Sequence, residues 1–298
     1  MASTTTVNSS VANRTAVALK SGYDSYQPKG DLIFTPHNPL RKDEIFSIAA
    51  HDGAFSQVGE GANYPSVDIS EVGTKTLSQA EYKKKLVITQ LMKAFDNESA
   101  VLREAYMIGK DARLKYDGVM ADVLNNAFTT TTTWDGDALV STTHAIGSTA
   151  AEQSNSVSGA LSDTTLNTAI TALMTQKNHR NTNQPLLPRY LIVPPALGKK
   201  AHELISSPGN PEAANNNINT YTKFGIQVIT WELLSSTTAW FLVADKMENA
   251  LKKLVSAEPS MELRSGIYTE SGSDEIRMYF ALQAGAPDYL GFEGSLGT

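Results

Sequence analysis

Between Asn97 and Phe128 apolar residues recur at spacings of three and four: Val101, Ala105, Ile108, Ala112, Tyr116, Val119 and Val123. That spacing predicts one helix of about 30 residues, roughly 45 Å long, with a single narrow apolar stripe. Asp96 or Asn97 is a candidate N-cap, and Glu98 favours the positive end of the helix. Gly109 and Gly118 lie inside it, where each costs about 1 kcal/mol relative to Ala, so they mark a bend or a close crossing. A rod of this length with one narrow stripe is unusual in a compact enzyme and suits an extended, thin domain.

The flanking sequence fits such a layout. Residues 1 to about 44 are rich in Ser, Thr and Asn, carry Pro28, Pro36 and Pro39, and show no sustained period. They read as an extended arm, ordered only where a partner surface ties it down. From Glu44 the pattern alternates through Phe46 and Ile48, then breaks at the glycine-rich turn around Gly59 to Pro65. The stretch TKTLSQAEYKKKLVITQLM then reads as one long strand, with Tyr82, Leu86 and Ile88 packing and Lys83, Lys84 and Lys85 as the strongest basic cluster. These lysines fit either a solvated strand edge protected against aggregation or a contact with an acidic neighbour. The two-stranded projection this implies has no core of its own.

Beyond the long helix come five threonines, 129–133, and an Asp135-Gly136 turn. Ser162-Asp163 opens a second helix with Leu166, Ile170, Leu173 and Met174 on one face. Arg189 to Val193 reads as a buried strand stopped by Pro194-Pro195, followed by a short helix from Lys199 to Ile205. Further strands are expected at Ile226–Leu234, Trp240–Ala244, Ile267-Tyr268 and through Ile276, Met278 and Phe280. Residues 136–250 thus form an α/β unit inside an α+β chain.

Composition narrows the function classes. The net charge of −6 argues against tight, sequence-independent nucleic-acid binding, which needs clustered cations. With no cysteine, disulfides, thiol catalysis and Cys-ligated metals are excluded. No segment approaches the roughly 20 apolar residues of a membrane span and no signal peptide is evident, so no membrane partner and synthesis in the cytoplasm are expected. Phosphate-loop, H-E-x-x-H and G-x-S-x-G motifs are missing. His37, His51, His144, His179 and His202 have no histidine at ligand spacing and read as surface or packing residues. Asp135, Asp137 and His144 could be cast as a metal or acid/base group, or as a turn between strands, which is the preferred reading. No catalytic residue, cofactor or metal ligand is assigned.

Several segments together resemble the tailed-phage major capsid proteins of the HK97-like fold. These are Gly59-Glu60-Gly61-Ala62 with Pro65, the strand with Lys84-Lys85-Leu86 and Ile88-Thr89, and the long helix. Asp135-Gly136 with Leu139, Ser141, Thr143 and His144, then Arg189 to Leu197, then Trp240 to Asp245, follow in the family's order. The helix entry Thr89-Gln90-Leu91-Met92 departs from the family's pattern. The resemblance implies an N-arm at 1–44, an E-loop hairpin at 45–92 lying over the adjacent subunit, and a P domain with its spine helix at 93–135. It further implies an A domain at 136–250 and C-terminal strands at 251–298 that return to the P and A domains.

The function implied is a structural major capsid protein, not an enzyme. It self-assembles into pentamers and hexamers of an icosahedral phage head around double-stranded DNA. Partners implied are other copies of the chain, packaged DNA held without specificity, and possible portal, scaffolding and cement proteins. The scaffold would be a separate protein or absent, since only about 44 residues precede the E-loop. Location would be the virion, with assembly in the host bacterial cytoplasm. Candidate subunit-contact residues are Glu60, Lys75, Lys83, Lys84, Lys85, Arg103, Glu104, Lys110, Asp111 and Arg113. Lys75, taken to lie near the E-loop tip, could be read as a cross-linking lysine, but no partner Asn or catalytic Glu matches and cross-linking is not expected. The alternatives are an encapsulin-like nanocompartment shell and a soluble α/β enzyme.

Overall fold

The computed structural model describes residues 4–50, 57–64, 66, 70–89, 91–92, 98–209, 218–264 and 273–298. In chain order the first half contains α1 (Thr4–Asp24), α2 (Gly30–Ile33), β1 (Thr35–His37), β2 (Asp43–Ala50), β3 (Ser70–Ser78), β4 (Ala80–Ile88) and α3 (Glu98–Asn125). There follow β5 (His144–Ala145), β6 (Glu152–Gln153), α4 (Asp163–Thr175), β7 (Pro188–Val193), α5 (Pro195–Ser206) and β8 (Gln227–Thr230). The chain ends with β9 (Trp240–Ala244), β10 (Lys252–Arg264), β11 (Asp274–Gly285) and β12 (Phe292–Ser295). The expected N-cap at Asp96 or Asn97 and the strand at Ile267-Tyr268 lie outside the described residues, as does His51.

Every residue of the expected stripe on α3 is buried. Below it, β10, β11 and β4 run antiparallel, and β1 joins β10 in parallel at the far edge. Ile276, Met278, Phe280 and Leu282 of β11 share one core with Ile108, Ala112, Tyr116 and Val119 of α3. The helix buries more than the stripe: Met120, Ala121 and Leu124 are buried as well, Met120 against Gly30 of α2, and Gly109 faces α1.

The N-terminal segment is not an extended arm. It forms α1, which lies along α3, and then threads α2 and β1 into the body. A Cβ on Gly109 would sit 2.0 Å from the Leu19 carbonyl oxygen, and one on Gly22 would sit 1.9 Å from that of Tyr106. Gly109 therefore marks a close crossing, whereas a Cβ on Gly118 meets nothing within 4 Å. Leu19 and Thr15 are buried by this approach. Helix-on-helix contact through missing side chains leaves no apolar stripe to detect, which is why composition misled.

The expected long strand from Thr74 is two strands. β3 pairs with β2 in a hairpin, while β4 pairs with β11 in the main sheet, and the switch occurs at Gln79. Gln79 is held on both sides: its amide nitrogen donates to the Arg41 carbonyl at 3.1 Å, and its side-chain oxygen accepts from the Ser256 hydroxyl.

The second layer is a four-stranded sheet ordered β12-β9-β7-β8. β7 and β8 are parallel and connected through α5, as a crossover requires. Pro194 and Pro195 do more than stop β7: Pro194 caps α5 and Pro195 begins it, at the position where a missing N–H costs nothing. The strand expected at Ile226–Leu234 is confined to Gln227–Thr230, because Trp231 turns its ring into the core. Ser162 caps α4 in a reciprocal box with Thr165. One face of this sheet joins the α3 core through Ile192, Phe241, Val243 and Phe292; the other packs under α4 and α5.

Candidate functional site

The root of the hairpin is seated on its own chain. Gly73 lies over the Trp134 ring, where a Cβ would come 2.5 Å from Cε3, and Leu77 packs on Gly285. Lys75 Nζ donates to Thr132 Oγ1 at 2.6 Å, which places Lys75 at the root of the hairpin and not near its tip. Burial pulls its ammonium below the usual lysine range, and Asp135 partly opposes that. On the other strand Arg180 Nε reaches the Ala50 carbonyl at 3.5 Å. The described distal residues are different. Gly61 takes a positive φ of 77° in a turn closed by Ala62 N–H to the Gly59 carbonyl at 3.1 Å. Around it Val58, Glu60 and Tyr64 are exposed, Tyr64 to 97%.

β4 is an edge strand of the main sheet, and its lysines stand there with mostly local partners. Lys83 bonds Glu81 at 2.5 Å, Lys84 bonds Asp111 on α3 at 2.7 Å, and Lys85 reaches Glu275 at 3.3 Å. Glu275 also accepts from Arg277, and these two cations hold its carboxyl below the usual range. Between β4 and α3 runs a groove of about 190 Å³ with Tyr82, Ile108, Ala112, Met278 and Phe280 along its floor and Lys84 and Lys115 on its rim. On α3, Arg103 and Glu104 are exposed and Lys110 is half-buried. Arg113 is committed within the chain: its guanidinium stacks on Tyr23 (4.7 Å) and Tyr116 (5.4 Å) and donates to the Tyr23 hydroxyl at 2.6 Å.

Asp135, Asp137 and His144 do come together, with ligand atoms within 4.8 Å of one another. Most of their polar atoms have partners within the chain. His144 Nδ1 lies 2.8 Å from Asp135 Oδ2, and Nε2 lies 3.3 Å from the Leu139 carbonyl. Asp135 also accepts from Thr133 Oγ1, Asp137 N–H and Ala145 N–H, and Asp137 accepts from Thr143 Oγ1. Burial pushes the Asp135 carboxyl up, but these donors prevail and hold it below its usual value. These bonds close the turn between Thr133 and Ala145.

Sequence reasoning missed two buried charges that hold the N-terminal segment. Asp117 is fully buried and accepts from Tyr26 OH (2.7 Å), Gly30 N–H (2.9 Å) and Trp231 Nε1–H (2.8 Å). Burial and this carboxylate together push the Tyr26 phenol well up. Lys253 donates to Asp31 Oδ1 and, at 3.0 Å, to Tyr116 OH. Burial would lower the Lys253 ammonium, yet these partners raise it above its ordinary value. The available signal was the second apolar row, Met120, Ala121 and Leu124, which encloses position 117 within the helix.

A spine helix crossing a long antiparallel sheet, a hairpin leaving the body and a separate α/β layer define a shell subunit of the HK97-like fold. The chain belongs to the phage capsid protein family, whose family model matches residues 72–292. It is a structural major capsid protein. No curated protein sequence matches it. Among solved structures, the capsid of bacteriophage JBD30 superposes with a TM-score of 0.60 at 10% identity, covering 71% of this chain and 92% of that one. The capsid of cyanophage P-SCSP1u gives 0.56 at 14% identity, covering 90% and 88%. A virus-like particle from Pyrococcus furiosus gives 0.53 at 11% identity, covering 95% and 98%.

Proposed function

We propose that this chain closes an icosahedral shell of pentamers and hexamers around double-stranded DNA. The observation that carries this is the hairpin tip, where Tyr64 and Glu60 stand exposed on a glycine turn, covered by none of the described residues of their own chain. In this reading the tip rests on a neighbouring copy. The exposed cations of β4, Lys83, Lys84 and Lys85, and the α3 residues Arg103, Glu104, Lys110 and Asp111 line contacts between copies. Lys75 and Arg113 act within the chain. The hairpin is best bounded at 43–78, with β4 in the P domain, and the A domain comprises 136–250 completed by β12. A net charge of −6 suits an inner face that holds DNA without register. A scaffold, a portal and a cement protein are candidate further partners, and the virion, built in the host cytoplasm, is the location. Negative-stain microscopy of concentrated protein, alone and co-produced with neighbouring genes, tests this. Uniform shells or capsomer rings are expected; small single subunits under both conditions would overturn it.

The similarity to a virus-like particle supports a second reading, a nanocompartment shell. Shells that hold a protein cargo and no DNA would favour it.

A further inference from the structure

Among the described residues, four buried side-chain atoms have no hydrogen-bond partner: Gln176 Nε2, His179 Nδ1 and both carboxyl oxygens of Glu293. All lie on the seam where the turn after α4 meets the C-terminal segment before and within β12. His179 is the one that touches the hairpin's seat. Its Nε2 lies 2.8 Å from Asp288 Oδ2, and Asp288 Oδ1 accepts from Trp134 Nε1 at 3.2 Å and from the Tyr289 amide at 2.8 Å. The carboxylate fixes a hydrogen on Nε2, so in the neutral ring Nδ1 carries only a lone pair. The imidazole stands edge-on between Trp134 (5.5 Å, 87°) and Tyr289 (6.0 Å, 84°).

Both strands of the hairpin depend on this spot. β3 rests on the Trp134 ring through Gly73, and Arg180, the residue after His179, reaches the Ala50 carbonyl of β2. We propose that His179 is a proton-operated release for the hairpin. A second proton on the ring turns Nδ1 into a donor, and none of the described residues offers it an acceptor. It is satisfied only if the ring turns toward water, which withdraws support from Trp134 and moves Arg180. His144 shows the contrast: both its nitrogens face acceptors, so a second proton leaves no orphaned donor.

The other ionisable groups around His179 leave Nδ1 unpartnered. The C-terminal segment brings Asp288 and Tyr289, whose hydroxyl is engaged with Ala145 and Gln153. Asp135 and His144 lie behind the Tyr289 ring and are paired with each other. On the same turn Lys177 bonds Asn181, and from the hairpin Lys75 bonds Thr132. The seat lies within one chain, so this inference does not depend on the assembly reading.

The test is hydrogen exchange of the full-length chain, read by mass spectrometry over residues 70–78 against residues 274–285 as the internal reference. Lowering the pH from about 7.5 to about 5.5 spans imidazole titration. After correction for intrinsic rates, the hairpin should exchange roughly tenfold faster relative to the reference, the factor expected where a buried donor is left unpaired. His179→Gln, which keeps a donor for Asp288 and cannot take a second proton, should abolish that change. Should the variant not fold, Gly73→Ala gives a second reading: by displacing Trp134 it should make the hairpin exchange fast at both pH values. A hairpin whose relative rate ignores pH in the parent, or follows it equally in His179→Gln, would overturn the proposal, as would a protected hairpin in Gly73→Ala.

Discussion

Asp117 joins three parts of the chain, because its carboxylate on α3 takes donors from Tyr26 and Gly30 of the N-terminal segment and from Trp231 after β8. Removing it deprives three donors of their acceptor, two of them buried, at about 1–3 kcal/mol for each that finds no substitute. Asp117→Ala should therefore lower the urea midpoint of the chain strongly, with Asp117→Asn intermediate; equal midpoints for Ala and parent would refute the role. Glu293 is the opposite case, a buried acid without partners whose carboxyl is pushed well above the usual range by desolvation. The folded state therefore binds a proton that the unfolded chain gives up at ordinary carboxylate pH. Its contribution is most favourable below that pH and is lost as pH rises toward the folded-state value. Glu293→Gln should raise the thermal midpoint at neutral pH, equivalent to about 1–3 kcal/mol, with the gain vanishing in acid. A gain independent of pH would point to packing instead. Neither residue was legible in the sequence: a lone Asp or Glu in an apolar row shows no sign of which donors the fold will bring, or fail to bring.

At the scale of elements, α3 carries two glycines with opposite meanings. Gly118 has open space at its Cβ position, so Gly118→Ala should stabilise the chain by about 1 kcal/mol through helix propensity alone. Gly109 lies against the Leu19 backbone, so Gly109→Ala must push α1 away. It should destabilise the chain and leave residues 4–24 open to limited proteolysis; parent-like resistance would mean that α1 does not depend on this crossing. The α3 stripe was readable because helical burial repeats every few residues along the chain itself. The division between β3 and β4 was not, since strand propensity runs unbroken through Gln79 while the partners change from β2 to β11. The start of α4 was legible at Ser162-Asp163, and the structure adds Thr165, three residues on, as the reciprocal partner in the cap.

On the scale of the whole molecule, the body is self-sufficient and the hairpin tip is not. The single α3 core, the second sheet and the N-terminal segment satisfy one another, while Tyr64 stands 97% exposed. Tyr64→Ser should leave the thermal midpoint of the unassembled chain unchanged and reduce shell yield in microscopy. A lowered midpoint would place Tyr64 in the chain's own stability instead. Local periodicity and turn chemistry by themselves determined the spine helix, the buried strands at Arg189–Val193 and Trp240–Ala244, the α4 cap and the glycine turn at the hairpin tip. In each of these the interacting residues are sequence neighbours. Tertiary structure alone decided that the N-terminal segment is a helix packed on α3, that Lys75 belongs to the hairpin root, and that Asp117 and Asp288 are shared anchors. It also decided that β12 completes the second sheet from the far end of the chain. Those outcomes rest on contacts between residues tens to hundreds of positions apart, whose geometry no local pattern encodes.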